Sequence, residues 1–146
     1  MKRLSTRLLS LVLVLSMLFA YGPMVFAATP DDGVEPQASA YISTTYAYIS
    51  GGGGSVTVSF NIGATRQMAN VGAYMIEIKN TSGTVIKTFY SSSTSGMMGS
   101  NCIFHNGSVS YSGVLEGASY YAIVYFKAGS STAYDTAYYI TDYAKA

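Results

Sequence analysis

The sequence predicts an all-β protein: a single antiparallel β-sandwich of about seven short strands behind an N-terminal signal helix. Three observations predict it. Beyond residue 38 the apolar residues recur at every second position, the period of a half-buried strand, and not at every third or fourth. Clusters of Gly, Asn and Ser punctuate the chain between those stretches. Tyrosine, whose ring packs well on a pleated surface, makes up fourteen of the 146 residues, and there is no Trp.

Residues 1–27 read as a secretory signal peptide. Lys2, Arg3 and Arg7 form a basic head, and Leu8 to Ala20 an apolar run interrupted only by Ser10 and Ser16. Tyr21-Gly22-Pro23 breaks the helix, and Val25-Phe26-Ala27 leads to a cut that starts the mature chain at Ala28. The apolar run is shorter than the roughly 20 residues of a spanning helix. No Cys stands at the cut to carry a lipid, and no later apolar run anchors the C-terminus. The expectation is a secreted, extracellular protein with no membrane contact after cleavage.

Ala28–Ala146 has the usual length of one domain and is long enough to bury a core without disulfides. Cys102 is the only cysteine, so it reads as a small buried hydrophobe or the donor of an intermolecular disulfide. After Ala28 there are five basic residues (Arg66, Lys79, Lys87, Lys127, Lys145) and seven acidic ones (Asp31, Asp32, Glu35, Glu77, Glu116, Asp135, Asp142), so five minus seven leaves a net charge of −2. No basic patch is available for a phosphate backbone, which argues against nucleic acid as a partner.

Residues 28–38 form a polar, flexible lead-in with Pro30, Asp31-Asp32-Gly33 and Pro36, and the β-sandwich domain spans 39–146. Tyr41 to Ser50 is the first candidate strand, broken by Gly51 to Gly54. Val56, Val58, Phe60 and Ile62 alternate with Thr57, Ser59 and Asn61 in the second. Tyr74, Ile76 and Ile78 face inward in the third, leaving Met75, Glu77 and Lys79 outside. Asn80-Thr81-Ser82-Gly83 is a turn, and Val85 to Tyr90 a fourth strand without a decided face. Ser91 to Asn101 is a loop, although it carries Met97-Met98. The fifth strand lies within Ile103 to Tyr111, with a break possible at Asn106-Gly107. The sixth runs from Tyr120 to Ala128, and the last from about Ala133 to Tyr143. A barrel is the alternative to a sandwich.

Leu115-Glu116-Gly117-Ala118-Ser119-Tyr120 stands just before a strand whose Ala122, Val124, Phe126 and Ala128 alternate. This resembles the corner of fibronectin type III and immunoglobulin-like domains, which implies that the Tyr120 hydroxyl bonds the backbone across the corner. The chain departs from the fibronectin pattern in lacking an early-strand Trp and a Pro before Gly117. More broadly, Thr94-Ser95-Gly96-Met97-Met98 and the stretch from His105 to Gly113 resemble small secreted proteins of uncharacterised function from Gram-positive bacteria, a likeness that implies no activity.

Few residues suggest chemistry. His105 is the sole histidine, and a hydrolytic triad would draft it with Ser108 or Ser110 and Asp135, but no Gly-x-Ser-x-Gly turn is present. Cys102 and His105, three apart on one strand, are expected on opposite faces. One His and one Cys are too few for zinc, and Asp31-Asp32-Gly33 lacks the spacing of a calcium loop. Glu77, Glu116, Asp135 and Asp142 are scattered, as solvated surface acids are, rather than paired for glycosidase chemistry. The tetraglycine lacks the Gly-Lys-Ser/Thr and the helix of a phosphate loop. No cofactor or metal is expected. Asn80-Thr81-Ser82 and Asn106-Gly107-Ser108 match a glycosylation pattern but follow a bacterial-type leader and are expected bare.

The tyrosines point further. With Ala122, Val124 and Phe126 committed inward, Tyr121, Ile123, Tyr125 and Lys127 face outward. In immunoglobulin-like topology the third, sixth and seventh strands share a sheet, so Met75 joins Tyr121, Ile123 and Tyr125, with charges at the rim. Tyr139 and Tyr143 are further candidates, the register of the last strand being open. The expected function is a secreted, non-enzymatic binding or adhesion module whose exposed tyrosine-rich face meets a protein or carbohydrate surface or another copy. The alternatives are a structural envelope or matrix protein that self-assembles through strand edges, and a small secreted hydrolase or inhibitor.

Overall fold

The computed structural model describes residues 39–146, so the signal peptide, its cut at Ala28 and the lead-in over 28–38 lie outside the described residues. Its regular elements are strands: β1 (Ile42–Gly52), β2 (Ser55–Asn80), β3 (Val85–Tyr90), β4 (Met98–Tyr111), β5 (Ser119–Gly129), β6 (Tyr134–Ile140) and β7 (Ala144–Lys145). The pairings are antiparallel and join these strands into one curled sheet. The described fold is all-β, as the period-two spacing predicts.

The largest departure from expectation is β2. Val56–Ile62 and Tyr74–Lys79 are not separate strands but the two ends of one 26-residue strand. The intervening residues contain no Pro and no Asn-Gly or Asp-Gly pair, so nothing local forces a reversal. β2 changes neighbours along its length. Residues 56–63 lie between β1 and β4, residues 70–72 between β4 and β5, and residues 75–79 between β3 and β5. The pairing with β4 slips between Gly63 and Met68, where Thr65, Arg66 and Gln67 are exposed.

The core lies on the inner face of this curl. Val56, Val58 and Ile62 from the first half of β2, Ile76 and Ile78 from the second, and Ala122, Val124, Phe126 and Ala128 from β5 are all fully buried. The Phe60 and Phe126 rings meet edge to face with centroids 6.1 Å apart. Phe60 sits on the half of β2 that does not pair with β5, so this contact spans the curl. Each such large side chain contributes about 1.5–3 kcal/mol through removal from water.

Turns and edges follow local chemistry. β1 continues through Gly51 and Gly52, and only Gly53 and Gly54, with φ of 61° and 72°, make the hairpin turn. Two consecutive left-handed residues match the twist of the flanking strands, and glycine adopts that conformation without steric penalty. After β2, the Asn80 Oδ1 accepts hydrogen bonds from the backbone N–H of Ser82 (3.1 Å) and Thr84 (2.9 Å), closing the expected turn.

Ser91–Asn101 is a loop only as far as Met97, because Met98 already belongs to β4. Met97 is fully buried, and its carbonyl accepts the Ala73 N–H at 2.8 Å. The loop thereby seats a side chain in the core beside β2. Asn106-Gly107 does not break β4, since both residues stay in register with Asn61 and Phe60. Asn101 adopts φ 52° inside β4, which upsets the alternation there. Cys102 Sγ and His105 Nδ1 consequently both crowd the position of a side chain at Gly99, and the expectation of opposite faces is corrected. Cys102 packs half-buried against the core as a free thiol.

The last predicted strand ends early. β6 stops at Ile140, and Thr141 turns inward, its Oγ1 accepting the Ala122 N–H at 2.9 Å. β7 then pairs with Ser119 and Tyr120, and the Ala146 carbonyl accepts the Gly117 N–H at 2.6 Å. The segment before β5 carries the hydrogen bond that the corner likeness implies. The Leu115 N–H donates to the Tyr120 hydroxyl at 3.0 Å, and Tyr120 is 6% exposed.

Candidate functional site

The outward face of β2, β3, β5 and β6 is built by the core's demands on the other side. Burial of Ala122, Val124 and Phe126 leaves Tyr121, Ile123, Tyr125 and Lys127 half-exposed on β5, as the alternation predicts. On β2 the register slips between Ala73 and Met75 opposite β5. Such a bulge places two successive residues on one side of the sheet. Ala73 takes the buried position, and Tyr74 turns out beside Tyr125, with ring centroids 6.1 Å apart. The expectation of an inward Tyr74 is therefore corrected, while Ile76 and Ile78 remain inward.

Register makes the face continuous. Tyr90 pairs with Met75, Met75 with Tyr125, and Tyr125 with Tyr138, giving one row across four strands. The next row runs Thr88, Glu77, Ile123 and Ile140. Lys79 pairs with Tyr121, and the Tyr143 ring packs edge to face on Tyr121 at 5.2 Å. Tyr125 and Tyr138 rings lie 6.4 Å apart. Tyr90 (51% exposed), Tyr138 (46%), Ile140 (49%) and Tyr143 (61%) give the face a wet aromatic and aliphatic surface. The four predicted residues Tyr121, Ile123, Tyr125 and Met75 thus share one face.

The charges stand inside the face rather than only at its rim. Lys79 Nζ lies 3.2 Å from Glu77 Oε2, and the Tyr125 hydroxyl donates to the same oxygen at 3.3 Å. Burial, and then the neighbouring Glu77 carboxylate, push the Tyr125 phenol above its ordinary range, and the hydrogen bond to Glu77 raises Lys79. Lys79 is therefore charged and Tyr125 neutral at neutral pH. Lys127 caps one end of the face, its Nζ 3.7 Å from the centre of the Tyr134 ring.

Tyr90, Tyr138 and Ile140 join the face although sequence reasoning did not name them for it. The signal for Tyr138 was a register: Val124 pairs with Tyr139, which sends Tyr139 toward the inner side against Tyr46 and Tyr138 outward. Tyr143 does join, through Tyr121.

Of the residues considered for a hydrolytic triad, His105, Ser110 and Asp135 each have a different partner, and Ser108 pairs in register with Ser59. His105 Nε2 lies 2.9 Å from the Gly96 carbonyl, Ser110 pairs with Thr57 at 2.8 Å, and Asp135 accepts hydrogen bonds from the Ser39 hydroxyl (2.6 Å) and the Tyr41 N–H (2.8 Å). Glu116 and Asp142 are exposed. Among the described residues no three His, Cys, Asp or Glu side chains come together as a metal site. The Asp31-Asp32-Gly33 cluster lies outside the described residues. The sequence matches no protein-family model and no curated protein.

Proposed function

We propose that this chain is a secreted, non-enzymatic binding or adhesion module, and that the tyrosine-rich face of β2, β3, β5 and β6 meets its partner, a protein or carbohydrate surface. The observation that carries this reading is the unbroken Tyr90–Met75–Tyr125–Tyr138 row. Rigid aromatic rings with polar tips suit an interface, because they offer large contact area at small entropic cost. Secretion rests on the leader in residues 1–27. The finer fold assignment is an immunoglobulin or fibronectin III-like sandwich, with β1, the first half of β2 and β4 as one layer and the remainder as the other. The Phe60–Phe126 contact and the Leu115–Tyr120 hydrogen bond support it.

A specific observation favours self-assembly as the second reading. Among the described residues β4 pairs only with β2, and its fourteen residues contain no Lys, Arg, Asp, Glu or Pro to blunt that edge. Size-exclusion chromatography across a hundredfold concentration range separates the readings. A binding module elutes as a monomer throughout, whereas a structural unit grows with concentration.

A further inference from the structure

The opposite outer face, on β1, the first half of β2 and β4, has a different chemistry. Its outward positions run from Thr44 to Ser50, from Thr57 to Gly63 and from Phe104 to Ser110, and none of them is Asp, Glu, Lys, Arg or His. A protein surface ordinarily carries about a quarter or more of charged residues. A shallow, open groove of about 500 Å³ crosses this face.

Two aromatic rings stand at its ends. Tyr48 is 50% exposed on β1, and Phe104 is 55% exposed on β4. Between them lies a polar floor set by register: Ser59 pairs with Ser108, and Asn61 with Asn106. The Thr57–Ser110 hydroxyl pair just beyond is bonded to itself at 2.8 Å, whereas among the described residues the side chains of Ser59, Asn61, Asn106 and Ser108 make no such bond.

We propose that this groove binds a neutral oligosaccharide. Each amide offers two donors and one acceptor oxygen, and each hydroxyl does both, which matches the alternating donors and acceptors of adjacent sugar hydroxyls. The flanking rings can each lie on the C–H face of a pyranose, as aromatic faces do against apolar surface that carries slight positive charge. With no Asp, Glu, Lys, Arg or His at these outward positions, no charged side chain is there to pair a phosphate or carboxylate, so the ligand is uncharged. A second copy of the same face would bury Asn61 and Asn106 against a flat surface with poorly matched partners. The site is separate from the tyrosine-rich face, so either reading can fail without the other.

Isothermal titration calorimetry with cellohexaose, chitohexaose and maltohexaose tests it. Saturable binding of at least one hexasaccharide is expected. Tyr48→Ala and Phe104→Ala should each weaken that binding by about tenfold, and Asn61→Ala should weaken it in a protein of unchanged melting temperature. The proposal is overturned if none of the three sugars binds, or if the folded Tyr48→Ala/Phe104→Ala protein binds as wild type does. Equal affinity for hexagalacturonate overturns it, as does a dimer that these substitutions dissolve.

Discussion

The Tyr120 phenol oxygen accepts the backbone N–H of Leu115 at 3.0 Å, tying the approach to β5 to the strand's first buried ring. Removing that oxygen leaves the N–H without its acceptor. Tyr120→Phe should therefore lower stability by about 1–2 kcal/mol in denaturant melts. Tyr121, the next residue, faces outward, so Tyr121→Phe should be close to neutral. Equal losses for the two variants would count against the corner assignment.

Asp135 on β6 gathers the Ser39 hydroxyl and the Tyr41 N–H at the start of the described chain. The hydrogen bond from Ser39, then that from Tyr41, hold its carboxyl below the ordinary carboxylate range. A carboxyl lowered in the folded state stabilises above its unfolded value, about pH 4, and loses that contribution as pH falls through the lower folded value. Asp135→Asn should reduce the melting temperature at pH 7 and flatten its decline between pH 5 and pH 2.5. Parallel pH profiles for variant and wild type would refute this tether.

Gly72 presses against the loop whose Met97 fills the core. A side chain there would overlap the Met97 carbonyl and the Met98 backbone, whereas at Gly52 it would meet nothing within 4 Å. Gly72→Ala should cost about 1–3 kcal/mol through forced backbone shifts. Gly52→Ala should be neutral or slightly stabilising. A Gly72→Ala protein as stable as wild type would show that the loop yields freely.

What was legible in the sequence was whatever a two-residue period encodes. The Val56–Ile62 and Tyr120–Ala128 alternations placed their core sides correctly, because burial of one face constrains every second residue. The outward set Met75, Tyr121, Ile123 and Tyr125 followed from the same constraint. The bulge at Tyr74 was not legible, since an extra residue changes no composition and shows only against a partner strand. Nor was the unity of β2, because the strand runs through glycines and exposed polar residues that read as a connection. Tyr138 was missed for want of the β5–β6 register, and the buried Met97 because Ser and Gly around it signal a loop.

The central claim is that the tyrosine-rich face carries binding. Its most direct test is a pair of binding isotherms, for wild type and for Tyr121→Ala with Tyr125→Ala, on immobilised extracellular-matrix proteins and on purified Gram-positive cell-wall sacculi. Aromatic residues at the centre of an interface commonly contribute about 2 kcal/mol or more each. Saturable wild-type binding to at least one of these surfaces is predicted, with a loss of at least about tenfold in the folded double variant. Undiminished binding by the Tyr121→Ala/Tyr125→Ala protein, or no saturable wild-type binding to any of these surfaces, would contradict the account.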